Sequence, residues 1–369
     1  MGRPLKRPVK VAVIYGGRSC EHDVSVSSAQ AVAHQLGLAG FETICIPIAR
    51  SGQWLPPAAS PRALTSLEQG ILPSGQGLSG STQMVGAIEE WRGGVDVVFP
   101  VLHGPYGEDG TLQGMLQLAG IPFVGSDVLG SALGMDKGML KAIVSARGIQ
   151  VARHLVISRE ESRQDVERRC RQELTPPLFV KPNGLGSSIG VTRVESFAQL
   201  GAALDTAAVF DSSIIVEEAV ADAREIEIGV IGNTDIKVSV PGEVRHQRTF
   251  YDYQAKYHDD ATQTVIPARL TAKTLKRIER DAKAAFRALK LSGLARMDFL
   301  VRARDEEVFF LEPNTMPGFT PTSMFPKLWE ASGIPFPELL RLLVELAMNK
   351  HAERERSNDA LSMETLVAL

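Results

Sequence analysis

Two short segments in the last third of the chain carry side chains suited to bind a metal ion. They are Arg296-Met297-Asp298 and Glu312-Pro313-Asn314, and alternate side chains of a β-strand share one face. If the two strands pair, carboxylate and amide oxygens meet beside a guanidinium, which suits magnesium carried by a nucleotide. A surface cluster of ion pairs is the alternative. The intervening residues Met297, Phe299, Phe309 and Leu311 are apolar, which places the hairpin in a core and favours a site.

A glycine-rich segment, residues 181–190, reads Lys-Pro-Asn-Gly-Leu-Gly-Ser-Ser-Ile-Gly. Glycines let backbone N–H groups approach an anion closely, and the hydroxyls of Ser187 and Ser188 add donors. The segment is not a Walker loop, because no Gly-Lys-Ser/Thr opens a helix. It is not a dinucleotide fingerprint either, because its glycines are spaced Gly-x-Gly-x-x-x-Gly. A phosphate cradle and a plain flexible hairpin both remain open.

Three further segments concentrate polar and aromatic residues: 16–25, 102–111 and 249–257. In the first, Glu21 could bind an amine, or the segment could simply cap the following helix. In the second, a lone His103 is more often structural than functional. The third holds three of the chain's five tyrosines and suits a loop over an active site or an amphipathic patch for a partner protein. We do not expect Cys20 to be a catalytic thiol.

The elements that position these residues alternate between strand and helix in the first third of the chain. Strands are predicted over 10–15, 41–48 and 95–102, and helices over 25–38 and 111–118. This order predicts a parallel sheet with helices on its faces, and ligands collect at the carboxyl ends of such strands. Gly16-Gly17 and His103-Gly104 lie there. Residues 51–94 are rich in Gly, Ser and Pro and are interpreted as a surface insertion with a helical piece around 84–91.

The remainder mixes helices with shorter strands. Helices are predicted over 133–147, 160–173, 271–289 and 336–348, and strands over 151–157, 178–181, 189–193, 214–218, 225–231, 295–301 and 307–312. The last two strands form a hairpin around Arg304-Asp305. The predicted fold class combines α/β and α+β parts. We expect domains at 1–133, 134–222 and 223–350, and a polar, frayed tail at 351–369.

Composition narrows the function classes. The chain has 369 residues, of which 44% are hydrophobic and 22% charged, as in ordinary globular proteins. A formal net charge of -3 disfavours a nucleic-acid partner. The three cysteines, odd in number and widely spaced, argue against a disulfide framework or a zinc site. No stretch approaches the ~20 apolar residues of a membrane span and no signal-peptide core is evident, so we expect a cytoplasmic protein without a membrane partner.

Taken in order, these segments strongly resemble the D-alanine–D-alanine ligase family of the ATP-grasp superfamily. The resemblance runs from about Lys10 to Met348. The matching stretches are 16–25, 103–114, 135–137, 181–190, 251–257, 296–298 and 312–318. The sequence departs from the family pattern at Cys20, where a small residue is common. Residues 51–94 and both tails carry no family signal, and the segment 217–220 is variable in the family.

The resemblance implies an N-terminal Rossmann-like parallel-sheet domain followed by an ATP-grasp domain of two α+β lobes. It implies a reaction in which ATP activates one D-alanine as an acyl phosphate and the amine of a second D-alanine attacks it. ADP, phosphate and D-alanyl-D-alanine for peptidoglycan are the products. Magnesium or manganese, two ions per site, and a homodimer are also implied.

The resemblance also implies a role for individual residues. Those expected to act on the substrates are Glu21, His103, Ser187, Tyr257, Arg296, Gly318 and Ser323. Those expected to hold ATP are Lys137, Lys181, Ser188, Glu217, Glu218, Ala219, Val220, Glu225 and Lys256. The expected metal ligands are Asp298, Glu312 and Asn314. Another ATP-grasp carboxylate–amine ligase, a D-alanine–D-lactate ligase and a nucleotide-binding regulatory module without turnover are the alternative functions.

Overall fold

The computed structural model describes residues 7–55, 57, 94–245 and 263–360. The strands are β1 Lys10–Gly16, β2 Glu42–Ile48, β3 Val97–Val101, β4 His154–Ser158, β5 Leu178–Pro182, β6 Thr192–Val194, β7 Ser213–Glu218, β8 Ala223–Gly232, β9 Lys237–Arg245, β10 Gln263–Val265, β11 Gly293–Arg302 and β12 Glu307–Asn314. The helices are α1 His22–Leu38, α2 Thr111–Leu118, α3 Val128–Met135, α4 Lys137–Ser145, α5 Arg163–Glu173, α6 Leu200–Ala208, α7 Ala272–Ala288, α8 Met324–Ala331 and α9 Phe336–Ala360. None of the helices in these ranges is long and apolar enough to cross a membrane.

The first sheet is parallel, as the sequence predicts. Its order is β2-β1-β3, with Val13 beside Cys45 on one side and Phe99 on the other. All five residues of β3 are buried, because both faces of the sheet are covered. The carboxyl ends of its strands therefore lie together at one edge.

Helix α1 begins at this edge, three residues before the predicted start. The buried Ser25 hydroxyl accepts the Gly16 N–H at 2.8 Å and donates to the carbonyl of Val101. Gly16 has φ +92°, and a Cβ there would lie 2.2 Å from the Ile48 carbonyl oxygen. Any side chain at residue 16 would therefore displace β2 from the edge that carries Glu21.

Two antiparallel sheets follow. One has the strand order β4-β7-β5-β6 and the other the order β10-β9-β8-β11-β12. Each sheet packs against its own apolar core. Helices α5 and α6 supply Val166, Cys170, Leu200 and Leu204 to the first core. Helix α7 supplies Ile278, Ala282, Ala285 and Phe286 to the second, on the four-residue spacing of an amphipathic helix. Each sheet thus has one covered face.

Helix α9 returns to the parallel sheet. Leu339, Leu343 and Val344 share one core with Val13 and Phe99, and the Arg341 guanidinium donates to the Ala39 carbonyl at 3.1 Å. The two ends of the described chain therefore close a single core.

Several sequence predictions need correction. The predicted helix 133–147 is two helices, since Asp136 is extended at φ -82° and ψ 101° and its side chain caps α4 by accepting the Met139 N–H at 2.8 Å. Helix α9 continues to Ala360, so the tail expected from residue 351 is helical in its first part. The sequence reading missed α6, α8, β9 and β10. The helical piece expected at 84–91 lies outside the described residues, and the domain boundaries remain a prediction.

Candidate active site

The hairpin of β11 and β12 forms as predicted and brings the polar side chains together. Arg296 lies opposite Asn314, and Asp298 lies opposite Glu312. The Arg296 guanidinium donates to both Asp298 oxygens at 2.8 Å. The Asn314 amide donates to Asp298 Oδ2 at 2.8 Å. The predicted metal ligands and the predicted oxyanion donor therefore form one connected cluster.

Glu227 on β8 completes this cluster. It pairs with Asp298 across β8 and β11, and its Oε2 lies 3.1 Å from Arg296 Nε. Burial alone would lower the pKa of Arg296, but Asp298 and Glu227 outweigh it and hold that pKa well above its usual value. Arg296 is therefore a permanent cation clamped between two carboxylates.

The glycine-rich loop reaches the N-terminal segment. The Ser187 hydroxyl donates to Glu21 Oε1 at 2.5 Å, across a separation of 166 residues. Ser187 and Ser188 both have positive φ, at 53° and 57°, a conformation that costs non-glycine residues energy and concentrates at functional sites. The loop is therefore held in a strained shape against the carboxylate that begins α1.

His103 lies at the carboxyl end of β3 with its ring buried. Its Nδ1 is 2.9 Å from the Met316 carbonyl, so Nδ1 carries the proton. Its Nε2 is buried and has no hydrogen-bond partner among the described residues. Burial lowers the pKa of His103, Glu21 opposes that shift and Arg296 adds to it. A neutral ring between Glu21 and Arg296 thus has one ring nitrogen left for a bound molecule.

Glu108 ties the His103 loop to the end of β12. Its carboxylate accepts the Gly104 N–H at 2.8 Å and the Met316 N–H at 3.0 Å. Burial and the charge of Glu21 raise the pKa of Glu108 to about 8, although these hydrogen bonds favour the ionised form. Sequence reasoning did not select Glu108, although its position beside His103 in a polar loop was a usable signal.

A cavity of about 260 Å³ adjoins this loop. Its wall includes Gly17, Ser19, His103 and Tyr106, so it opens at the carboxyl edge of the parallel sheet. It is a space for a small molecule beside the predicted amino-acid residues.

The turn after β12 brings Gly318 and Ser323 together. A Cβ at Gly318 would lie 2.8 Å from Ser323 Oγ. Ser323 Oγ accepts the Thr320 N–H at 3.0 Å, and the Phe319 N–H donates to Ser28 Oγ of α1 at 3.1 Å. The turn is thereby fixed to α1, close to the other predicted substrate residues.

The lysines expected to hold phosphate are ion-paired. Lys137 Nζ is 3.3 Å from Glu312 Oε2 and donates to the Leu185 carbonyl at 2.6 Å. Lys181 Nζ is 3.3 Å from Glu217 Oε1. Lys137 thus contacts the glycine-rich segment at Leu185, and Lys181 is the first residue of that segment.

The segment 217–220, expected to contact adenosine, is placed at the end of β7. The Glu217 side chain is buried between lysines, and the Glu218 carboxylate accepts the Thr175 N–H at 2.8 Å. The Ala219 N–H donates to the Pro177 carbonyl at 2.8 Å. Val220 follows in the turn, and Glu225 lies on β8. Their contacts with adenosine remain a prediction, as do the roles of Lys256 and Tyr257, which lie outside the described residues.

Two family models cover most of the chain. The model described as D-ala D-ala ligase N-terminus matches residues 10–126, and the model described as D-ala D-ala ligase C-terminus matches residues 143–345. The chain belongs to the D-alanine–D-alanine ligase family.

Named relatives of the family agree with this assignment over nearly full length. The D-alanine–D-alanine ligase of Geobacillus kaustophilus is 43% identical over 94% of this chain and 96% of its own length. That of Deinococcus radiodurans is 46% identical over 92% and 99%. The structure of the D-alanine–D-alanine ligase from Coxiella burnetii superposes with a TM-score of 0.80 at 32% identity, over 95% of this chain and 98% of that one.

A second solved structure has a different stated substrate. VanG D-Ala:D-Ser ligase from Enterococcus faecalis superposes with a TM-score of 0.80 at 35% identity, over 92% of this chain and 100% of that one. Both structures carry the ATP-grasp ligase fold, which confirms the predicted fold class and enzyme class.

A divalent cation fits the hairpin of this ligase. The donors are carboxylate and amide oxygens, the set that magnesium and manganese prefer. The described residues hold no group of three His, Cys, Asp or Glu side chains suited to a metal, so the amide of Asn314 has to supplement Asp298 and Glu312. In this structure Arg296 is ion-paired with Asp298 and Lys137 with Glu312.

Two residues that the sequence reading did not select complete the site. Glu227 holds Arg296, and Lys141 on α4 is buried with its Nζ 2.8 Å from Glu217 Oε2. Lys141 follows Lys137 by four residues, so both lie on one face of α4. That spacing was a usable signal, whereas the partner of Glu227 depends on the register of β8.

Proposed function

We propose that this chain joins two D-alanine molecules to D-alanyl-D-alanine in an ATP-dependent reaction that passes through an acyl phosphate. The observation that carries the proposal is the hydrogen bond from Ser187 to Glu21. It places the carboxylate expected to bind an amino-acid ammonium against the loop expected to cover the ATP phosphates. Activation of a carboxylate by phosphoryl transfer requires that the amino-acid site and the nucleotide site lie in contact.

The first D-alanine is held by Glu21 through its ammonium, while His103 lies near its carboxylate. Lys137 and Lys181 neutralise the ATP phosphates, and the loop bearing Ser187 and Ser188 covers them. The segment Glu217–Val220 and Glu225 contact adenosine.

Asp298, Glu312 and Asn314 would hold the magnesium or manganese ions, two per site. When bound, these ions would reduce the electrostatic repulsion between the attacking carboxylate and the γ-phosphate. Arg296 and the Gly318 N–H face the oxyanion that develops when the second amine attacks. Such donors supply roughly 2.7–4 kcal/mol each in a site that excludes water.

Ser323 orients the carboxylate of the second D-alanine. For Lys256 and Tyr257, which lie outside the described residues, the family resemblance suggests roles at the transferred phosphate and in closing the site over Ser187 and Glu21. Closure protects the acyl phosphate from hydrolysis. We place the enzyme in the cytoplasm as a homodimer.

The likeness to a D-Ala:D-Ser ligase makes D-serine a second candidate for the attacking amino acid. The test is phosphate release and product analysis with ATP, magnesium and D-alanine, alone or with D-serine or D-lactate, and with L-alanine in place of D-alanine. We expect D-alanine alone to give phosphate and D-alanyl-D-alanine in equal amounts. Equal phosphate release with L-alanine would contradict the substrate, and a dominant mixed product would assign D-serine or D-lactate to the second subsite.

A further inference from the structure

Glu217 is shared between two lysines in the interior of the protein. Its Oε2 lies 2.8 Å from Lys141 Nζ, and its Oε1 lies 3.3 Å from Lys181 Nζ. Burial would raise the pKa of Glu217, but the two ammonium groups outweigh it and hold that pKa at about 2. Glu217 is therefore a carboxylate at any working pH, and both of its oxygens are engaged.

The two lysines differ in access to solvent. The side chains of Lys141 and Glu217 are each 2% exposed, whereas that of Lys181 is 14% exposed. Lys141 Nζ also faces the carbonyl of Leu311 at 3.4 Å. Lys141 thus lies behind Glu217, and Lys181 is the lysine of the pair that can meet a bound phosphate.

The elements around the trio leave Lys141 little freedom. The start of α4 is pinned to the segment after β5, because the Gly138 N–H donates to Asn183 Oδ1 at 2.7 Å and the Lys137 N–H donates to the Asn183 carbonyl at 3.2 Å. Lys141 is one helical turn further along. The backbone of Lys141 is therefore held beside Glu217 by the helix that also carries Lys137.

A buried carboxylate needs a cation close by. If Lys141 were absent, Lys181 would be the one cation left beside Glu217 within the described residues. Its ammonium would then be needed to neutralise Glu217. A phosphate would then have to compete with a buried carboxylate for the same ammonium group. With Lys141 present, Glu217 keeps a partner when Lys181 turns to a phosphate.

We infer that Lys141 is a positioning residue for nucleotide binding: it neutralises Glu217 so that Lys181 remains available to the ATP phosphates. This inference rests on the proposed function for the place of Lys181 in the ATP site. It predicts that the effect of Lys141 on ATP affinity passes entirely through Glu217.

The experiment is a calorimetric titration of the full chain with ATP and magnesium in the absence of D-alanine. We expect Lys141→Met to raise the ATP dissociation constant at least about tenfold, given the strength of charge interactions in a buried site. The double variant Lys141→Met/Glu217→Gln should match Glu217→Gln within about threefold. Lys276→Met, at an exposed lysine of α7, is the matched control.

Steady-state kinetics separate this role from a merely structural one. The KM for ATP should rise in Lys141→Met, while kcat at saturating ATP should change less than about threefold. If Lys141→Met does not fold, the comparison of the double variant with Glu217→Gln still decides. The double variant removes the whole buried ion pair, and the buried ammonium that Glu217→Gln leaves on Lys141 can lose its proton.

Two results would overturn the inference: wild-type ATP affinity in folded Lys141→Met, or a double variant that binds ATP at least about tenfold more weakly than Glu217→Gln. Failure of the proposed function looks different. In that case the wild-type chain would not bind ATP, or it would bind ATP but form no dipeptide from D-alanine.

Discussion

Arg296 donates to both carboxylate oxygens of Asp298 at 2.8 Å, although the two residues have different proposed roles. Each oxygen of a carboxylate has a second lone pair, so a metal ion bound at Asp298 would share that carboxylate with the guanidinium. Glu227, 3.1 Å from Arg296 Nε, gives Arg296 a second anchor. A metal ion at Asp298 would therefore act directly on the contacts that place the positive charge of Arg296.

Replacing Arg296 tests its proposed role at the oxyanion. We expect Arg296→Ala to lower kcat about 10²- to 10³-fold, because a donor that acts on developing charge stabilises the transition state more than the ground state. Stopped and continuous phosphate-release assays give kcat and KM. Arg304→Ala, at an exposed arginine of the same hairpin, is the control. A rise in the KM for ATP with unchanged kcat would assign Arg296 to nucleotide binding instead.

The metal ligands are tested by the dependence of the rate on magnesium. Glu312→Gln and Asn314→Ala should each raise the magnesium concentration needed for half-maximal rate by about 10- to 100-fold, the loss typical when support of a metal site is removed. Glu345→Gln, at an exposed position of α9, controls for a general loss of negative charge. An unchanged magnesium dependence in Glu312→Gln would remove that residue from the metal site.

Removing the hydrogen bond between Ser187 and Glu21 should lower the catalytic efficiency measurably. A hydrogen bond to a charged group contributes about 1.5–3 kcal/mol, so Ser187→Ala should lower kcat/KM for D-alanine about 13- to 160-fold. Ser357→Ala, exposed on α9, is the control. A change of less than twofold would mean that this contact does not persist in the reacting enzyme.

Glu108 predicts an unusual dependence of stability on pH. Because burial raises its folded-state pKa to about 8, the folded state holds a proton that the unfolded state has lost above its ordinary pKa. The contribution of Glu108 to the free energy of unfolding is therefore fully present below that ordinary pKa. It is lost as pH rises towards 8, at up to about 1.4 kcal/mol per pH unit.

Chemical denaturation at several pH values between 5.5 and 8.5 measures this slope. Glu108→Gln removes the titrating proton, so its unfolding free energy should vary less over that range than that of the wild-type chain. Parallel pH profiles for the two proteins would show that Glu108 is ionised throughout, in keeping with the N–H groups it accepts.

Local patterns in the sequence were enough for much of the fold and part of the site. Alternation in β11 and β12 correctly predicted that Arg296 and Asp298 face Glu312 and Asn314, because that pairing depends on a short hairpin. The break at Asp136 was missed because the apolar pattern runs through both helices and a single Asp cap is a weak signal.

Contacts between segments that are distant in the sequence could not be predicted from such local patterns. Glu227 meets Arg296 through the register of β8 and β11, and Lys141 meets Glu217 through the packing of α4 on β7. Neither register nor packing angle is encoded in the spacing of residues along one segment. The direct contact of Ser187 with Glu21 was not predicted, because it joins segments 166 residues apart.

The return of α9 to the parallel sheet has a consequence for biosynthesis. Val13 and Phe99, made early, complete their core only with Leu339, Leu343 and Val344, made late. The N-terminal strands therefore stay partly uncovered on the ribosome until translation passes Ala347, and apolar surface exposed in that interval favours aggregation. Separately expressed halves of the protein should consequently be aggregation-prone alone and soluble when co-expressed.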